Sequence, residues 1–231
     1  MSETVLLWFE IIFDILYLIT IWALVAFMWV NRNNLKEGTK KIGMLFILAF
    51  FLLALGDTGH VGFRVIAYGT GGLEDNPTLV GLGALATAIT VTGFYMIVAE
   101  IWRLRFNKER NLIWWGLIIT GIIRLVIMIP SGNAWGNVFP PFNWSLARNI
   151  PLMIQGILIG ILLLKDGIKA EDCFSKKISI MIFISYACYL PVILFVQKVP
   201  MLGMLMIPKT LAYIAVAIIA LSLFKPQSKL I

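Results

Sequence analysis

Asp57, His60 and Arg64 stand at i, i+3 and i+7 within GDTGHVGFR, residues 56–64. On a helix those positions share one face. An acid, the chain's single histidine and a base on one stripe can hold an anion, pass a proton, or activate a water for hydrolysis. Residues 42–55 are an apolar run that continues into the motif without a break. The trio therefore reads as lying inside a membrane helix, where ionisable groups are costly and mark functional sites. Gly56, Gly59 and Gly62 recur every three residues beside that face. Small residues let membrane helices approach closely, so this helix is expected to be central, with a neighbour pressed against it.

Other reactive side chains stand in other apolar runs. Glu10 and Asp14 are four apart on one helix face, and two like charges so placed call for a base between them. Arg64 and Lys209 are the bases expected there. Arg124 interrupts a fourth run. Arg148 and Asn149 precede Pro151, with Gln155 below them. Tyr186 and Tyr189 share a face before Pro191, and Lys209 shares one with Tyr213 after Pro208, a proline expected to open the helix locally. Glu100 stands beside Arg103 near a run's end and reads as an interfacial pair. Thr87, Thr90 and Thr92 are candidate pocket walls that their own helix can also satisfy.

These residues need a scaffold, and composition supplies its class. Of 231 residues 60% are apolar and 13% charged, against about 45–50% and about 25% in soluble domains. The expectation is one all-α domain over 1–231, a multi-pass bundle in a lipid bilayer. Seven runs are long enough to cross at roughly 20 residues each: 5–29, 42–68, 79–102, 112–129, 146–164, 178–196 and 201–224. Most bases fall in three short connections (Arg32, Lys36, Lys40 and Lys41; Arg103, Arg105, Lys108 and Arg110; Lys165, Lys169, Lys176 and Lys177) and in the tail (Lys225, Lys229). The connections between them are poor in bases. This alternation predicts an outside N-terminus and a cytoplasmic C-terminus, in the plasma membrane.

The net charge of +7 thus reads as topology and not as nucleic-acid binding. Acids at Glu3, Glu10 and Asp14, and the length of the first run, argue against a cleaved signal peptide. Cys173 and Cys188 fall in different settings, so no disulfide is expected, and the chain has no zinc-ligand spacing. Residues 131–145 are uncharged and rich in aromatics, and read as an interfacial cap or a lid. Asn143-Trp144-Ser145 matches a glycosylation acceptor.

Depth then sets the functional expectation. Counted along a rise of ~1.5 Å per residue, Arg64 and Arg148 lie within about a turn of the outer surface. Glu10 and Arg124 lie roughly 7–9 Å down, and Asp14, Tyr189 and Lys209 about 12 Å down, with Asp57 and His60 in the same outer half. The expected site is an outward-facing polar pocket formed by Glu10, Asp14, Asp57, His60, Arg64, Arg124, Arg148, Asn149, Tyr189, Lys209 and Tyr213. Its bases outnumber its acids, so the expected ligand is a small anionic or zwitterionic molecule or lipid headgroup, clamped by Arg64 and Arg148. The protein would be receptor-like or transporter-like. A receptor would need a cytoplasmic partner at the basic loops.

Two comparisons give alternatives. The gross topology resembles seven-helix receptors and rhodopsins, and Lys209 stands in the last helix, where rhodopsins link retinal. The resemblance extends faintly to Tyr189–Pro191 in the sixth helix, but the third lacks any acid or base between Leu79 and Ala99. The ceramidase-like hydrolases share the seven-helix form but hold zinc with several histidines. The corresponding expectation here is a metal-free lipid hydrolase using Asp57 and His60 as its acid–base pair. Otherwise no cofactor is expected.

Overall fold

The computed structural model describes residues 3–225, which are helical with turns and contain no strand. The helices are α1 (Glu3–Val30), α2 (Lys40–Gly69), α3 (Pro77–Arg105), α4 (Leu112–Ile127), α5 (Phe142–Lys169), α6 (Cys173–Phe195) and α7 (Met206–Ala220). Six are long and apolar enough to cross a membrane: α1, α2, α3, α5, α6, and α7 with the 3-10 turns that flank it. The other helix, α4, has 16 residues and is shorter but apolar. Large apolar side chains such as Ile19, Ile122 and Ile161 are exposed along the helices. A water-soluble protein rarely exposes so much apolar surface, and this is the exterior of an integral membrane protein.

Consecutive helices pack side by side, and α1 also meets α7, which closes the bundle. The tightest pair is α2 with α3, and α3 reaches across to α5. At one end lie the turns after α1, α3 and α5, with the bases. Asn34 Nδ2 donates to the Phe224 carbonyl at 3.3 Å, which brings the C-terminal end of α7 to the same face. Lys229 lies outside the described residues.

Ion pairs stitch this basic face. Arg105 donates from Nε and Nη2 to both oxygens of Asp172, each at 2.9 Å. Asp172 also accepts from Ser175 Oγ at 2.6 Å and, as the N-cap of α6, from the Phe174 amide. Asp166 accepts from Lys108 at 3.2 Å and from Trp102 Nε1 at 2.9 Å. Glu100 pairs with Arg103 at 2.7 Å, the interfacial pair read from the sequence.

The helix ends differ from the apolar runs in ways that have physical causes. At the basic face α2 begins at Lys40, α3 runs on to Arg105, α5 to Lys169, and α6 starts at Cys173. Long cationic side chains reach the headgroups while their backbone stays helical, so charge does not end a helix there. The aromatic segment is helical from Phe142 onward and has a 3-10 turn at Ser131–Asn133. Pro208 lies in the first turn of α7, where an amide proton is not needed, so it opens nothing. The chain before it, Pro200–Leu205, is 3-10. Cys173 and Cys188 are both free.

Burial pushes the Asp172 carboxyl up, but the hydrogen bonds from Arg105 and Ser175 overrule it and hold it below the usual carboxylate range. Its stabilising contribution is therefore complete above about pH 4 and is lost as pH falls through the lowered value. Asp172→Ala should cost about 2 kcal/mol at pH 7 by thermal melting in detergent. The gap to wild type should shrink as the melts are taken down toward pH 3.

Candidate functional site

Helix contact positions the central trio. A Cβ at Gly83 of α3 would stand 2.7 Å from the Gly59 carbonyl oxygen and 3.0 Å from the His60 Cα. A Cβ at Gly56 of α2 would meet Thr90 and come within 3.0 Å of the Thr87 Cα. Gly59 faces Ala86 in the same seam, whereas nothing approaches Gly62. The neighbour expected against the glycine face is therefore α3, held at backbone distance by Gly56, Gly59 and Gly83.

That approach puts Asp57 at the junction of three helices. Thr87 Oγ1 on α3 donates to Asp57 Oδ1 at 2.8 Å, and the Tyr17 hydroxyl on α1 donates to Oδ2. Both oxygens thus go to hydroxyls on other helices, and no hydrogen bond joins Asp57 to His60. His60 Nδ1 is buried with no hydrogen-bond partner among the described residues. Arg64 donates from Nη2 to Glu10 Oε1 at 2.6 Å and to the Tyr68 hydroxyl at 3.2 Å. Asp14, one turn along from Glu10, forms no ion pair within 4.0 Å among the described residues. This half of the site lies between α1, α2 and α3.

The other half lies among α3, α4, α5, α6 and α7. Arg124 is buried; its Nε donates to the Arg148 carbonyl at 2.9 Å, and its Nη1 to the Ala88 carbonyl at 2.8 Å and Thr92 Oγ1 at 2.5 Å. Arg148 Nη1 donates to Asn133 Oδ1 at 3.2 Å, and its guanidinium lies 4.4 Å from the centroid of the Trp135 ring. Tyr189 donates to Asn149 Oδ1 at 3.0 Å. Lys209 Nζ sits 4.5 Å from the Tyr189 ring centroid and 5.7 Å from that of Tyr213. The Tyr213 hydroxyl is 2.9 Å from that of Tyr95 on α3. Lys209 and Asp57 do not form an ion pair within 4.0 Å.

The eleven residues singled out in the sequence thus form two groups: Glu10, Asp14, Asp57, His60 and Arg64 on α1 and α2, and Arg124, Arg148, Asn149, Tyr189, Lys209 and Tyr213 on α4 to α7. Glu10 and Arg64 come together as expected of an acid and a base on facing helices. Arg64 and Arg148 do not form one clamp: Arg64 is held by Glu10, while Arg148 is held by Asn133 and Trp135. The aromatic segment lies over Arg148 through those two residues. Gln155 Nε2 donates to the Leu117 carbonyl at 2.9 Å, so it ties α5 to α4. Thr87 and Thr92 contact the site, whereas Thr90 bonds only its own helix.

Sequence reasoning missed Tyr17, Asn133 and Trp135. Tyr17 had a usable signal, since it lies three residues beyond Asp14 on the same helix face. Trp135 stood in the aromatic segment expected to be a cap or lid but without a partner assigned to it, and Asn133 gave no signal, because a connection has no periodicity to aim its side chains. No protein family matches the chain, and no curated protein or solved structure matches it either.

The seam is testable with two single substitutions. Gly83→Ala should lower the unfolding midpoint by the equivalent of roughly 1–3 kcal/mol, because α2 and α3 must part. Gly62→Ala has open space and should leave the midpoint unchanged or raise it slightly, by up to about 1 kcal/mol.

Proposed function

We propose that the chain is a seven-span protein of the cytoplasmic membrane, with its N-terminus outside, that binds a small anionic or zwitterionic ligand through Arg124, Arg148 and Lys209. The seventh span is α4. Arg110, just before it, lies 3.7 Å from Glu100 at one end of α3. The Trp135 peptide, just after it, packs on Gly81 toward the other end. Those α3 positions are ~28 Å apart along the helix axis, close to the ~30 Å of a bilayer's hydrocarbon. The clustering of bases at one end supports a cytoplasmic basic face.

The observation that carries the binding reading is the state of the three cations. Among the described residues none has a carboxylate within 4.0 Å. Their partners are backbone carbonyls, a threonine hydroxyl, an asparagine oxygen and tyrosine and tryptophan ring faces. Such partners orient a cation without neutralising it, and buried charge left uncompensated in low dielectric is costly. An anion restores the balance. α5 and α7 both begin at this end of the bundle, and helix N-termini add positive potential there. Arg64 is already paired with Glu10, so it drops out of the ligand set and acts as a strut. In this reading Tyr189 positions both Asn149 and the Lys209 ammonium.

Thermal melts of the purified protein with inorganic phosphate, succinate and glycine betaine test this. At least one should raise the midpoint of the wild type, by about 2.7 kcal/mol at a hundredfold excess over its Kd. Lys209→Gln and Arg124→Gln should remain folded and lose the shift. A wild type indifferent to all three, or an equal shift in Lys209→Gln, would overturn the reading. Orientation is checked in intact cells: the exposed Cys173 should resist an impermeant maleimide, and a cysteine placed at Asn137 in a C173S/C188S background should react.

A further inference from the structure

We infer that the groove between α1, α2 and the end of α3 is a binding site for one anionic phospholipid of the leaflet on the basic face. The groove shares no residue with the anion site and stands independently of that reading.

Its volume is about 1040 Å³, at the top of the range of about 300–1,000 Å³ typical of ligand pockets. It opens sideways toward the lipid. The walls are apolar and come from Val25 and Ala26 on α1, Met44, Leu48 and Phe51 on α2, and Leu104 on α3. Its inner end is closed by Trp22, whose ring packs edge-on against Phe51 with centroids 5.7 Å apart. Trp22 Nε1 donates to Thr58 Oγ1 at 2.9 Å, which fixes that end. Its outer end is formed by Lys40, Lys41 and Trp29.

Two dimensions select a lipid. From Phe51 to Lys40 the groove runs ~16 Å along α2, about half of a ~30 Å hydrocarbon core and so one leaflet deep. Its walls are therefore apolar over an acyl chain's depth, and its bases begin where headgroups begin. Charge selects an anionic headgroup. Lys41 has no carboxylate within 4.0 Å among the described residues, and Lys40 meets only Glu37, at 4.0 Å in an exposed surface pair. Such pairs neutralise little. Arg32 stacks 4.4 Å over the Trp29 ring at the same level. Glu100, the acid that reaches the groove, is already paired with Arg103 and lies 3.7 Å from Arg110. The mouth is left positive, and basic pockets between membrane helices bind anionic lipid headgroups.

The test uses the full chain reconstituted in phosphatidylcholine nanodiscs containing a minor fraction of phosphatidylglycerol. Native mass spectrometry should show one retained phosphatidylglycerol per protein, enriched over its share of the bilayer. Lys40→Gln with Lys41→Gln should weaken that retention on the order of tenfold to thirtyfold and leave phosphatidylcholine unaffected. Ala26→Trp, at a lipid-exposed position in the groove, should block retention without lowering the unfolding midpoint. Free inorganic phosphate should not displace the lipid, because the acyl slot supplies much of the affinity. Equal retention of the two lipids, retention unchanged in both variants, or displacement by phosphate would overturn the proposal.

Discussion

Backbone contact between α2 and α3 is the constraint on which the rest of the structure depends. Gly56 on one helix and Gly83 on the other leave no room for a β-carbon at the seam, and at Gly59 one would press on Ala86 at 3.1 Å. Close approach lets short side chains meet across the interface, so Thr87 reaches Asp57 directly. With the carboxylate fixed on one side by Thr87, its other oxygen faces α1 and accepts from Tyr17. Helix packing thereby sets the hydrogen-bond partners of the acid and, through helical spacing, the direction of His60 and Arg64.

The two ends of the bundle handle charge differently. At the basic face, acids and bases meet in direct ion pairs: Arg105 with Asp172, Lys108 with Asp166 and Arg103 with Glu100. The first two pairs join α3 and its following turn to α6 and α5 and serve as struts, while Arg103 and Glu100 pair along α3 itself. At the opposite end Glu10 and Arg64 form such a pair, but Arg124, Arg148 and Lys209 rest against carbonyls, amide oxygens and rings. A cation held by neutral groups keeps most of its field. In one half of the polar region the base, Arg64, meets an acid directly; in the other half the bases meet neutral groups.

The connection between α4 and α5 takes part in this arrangement. Asn133 is fully buried and donates to the carbonyls of Ile127 and Pro130 at the end of α4. Its remaining oxygen accepts from Arg148. Trp135 donates to the Met128 carbonyl and offers its ring to the same guanidinium. A segment with no regular spacing therefore becomes part of the wall around a buried arginine, held by the unsatisfied carbonyls that any helix end provides.

Much of this was written in the chain. Apolar runs of the right length, the placement of bases, and the spacing of Asp57, His60 and Arg64 determine an all-helical membrane protein with ionisable groups inside it, because burial of charge and exposure of apolar surface are penalties local to each residue. The glycine repeat announced a close neighbour but not that it would be α3, nor that Gly62 would stand apart from the seam. Pairing was decided only by tertiary structure: Arg64 with Glu10 and not with Arg148, Asp57 with two hydroxyls, and Arg148 with a loop asparagine and a tryptophan ring. A sequence fixes depth and face along each helix, but which faces meet depends on how the helices rotate and lean against one another, and that is settled by packing across the whole bundle.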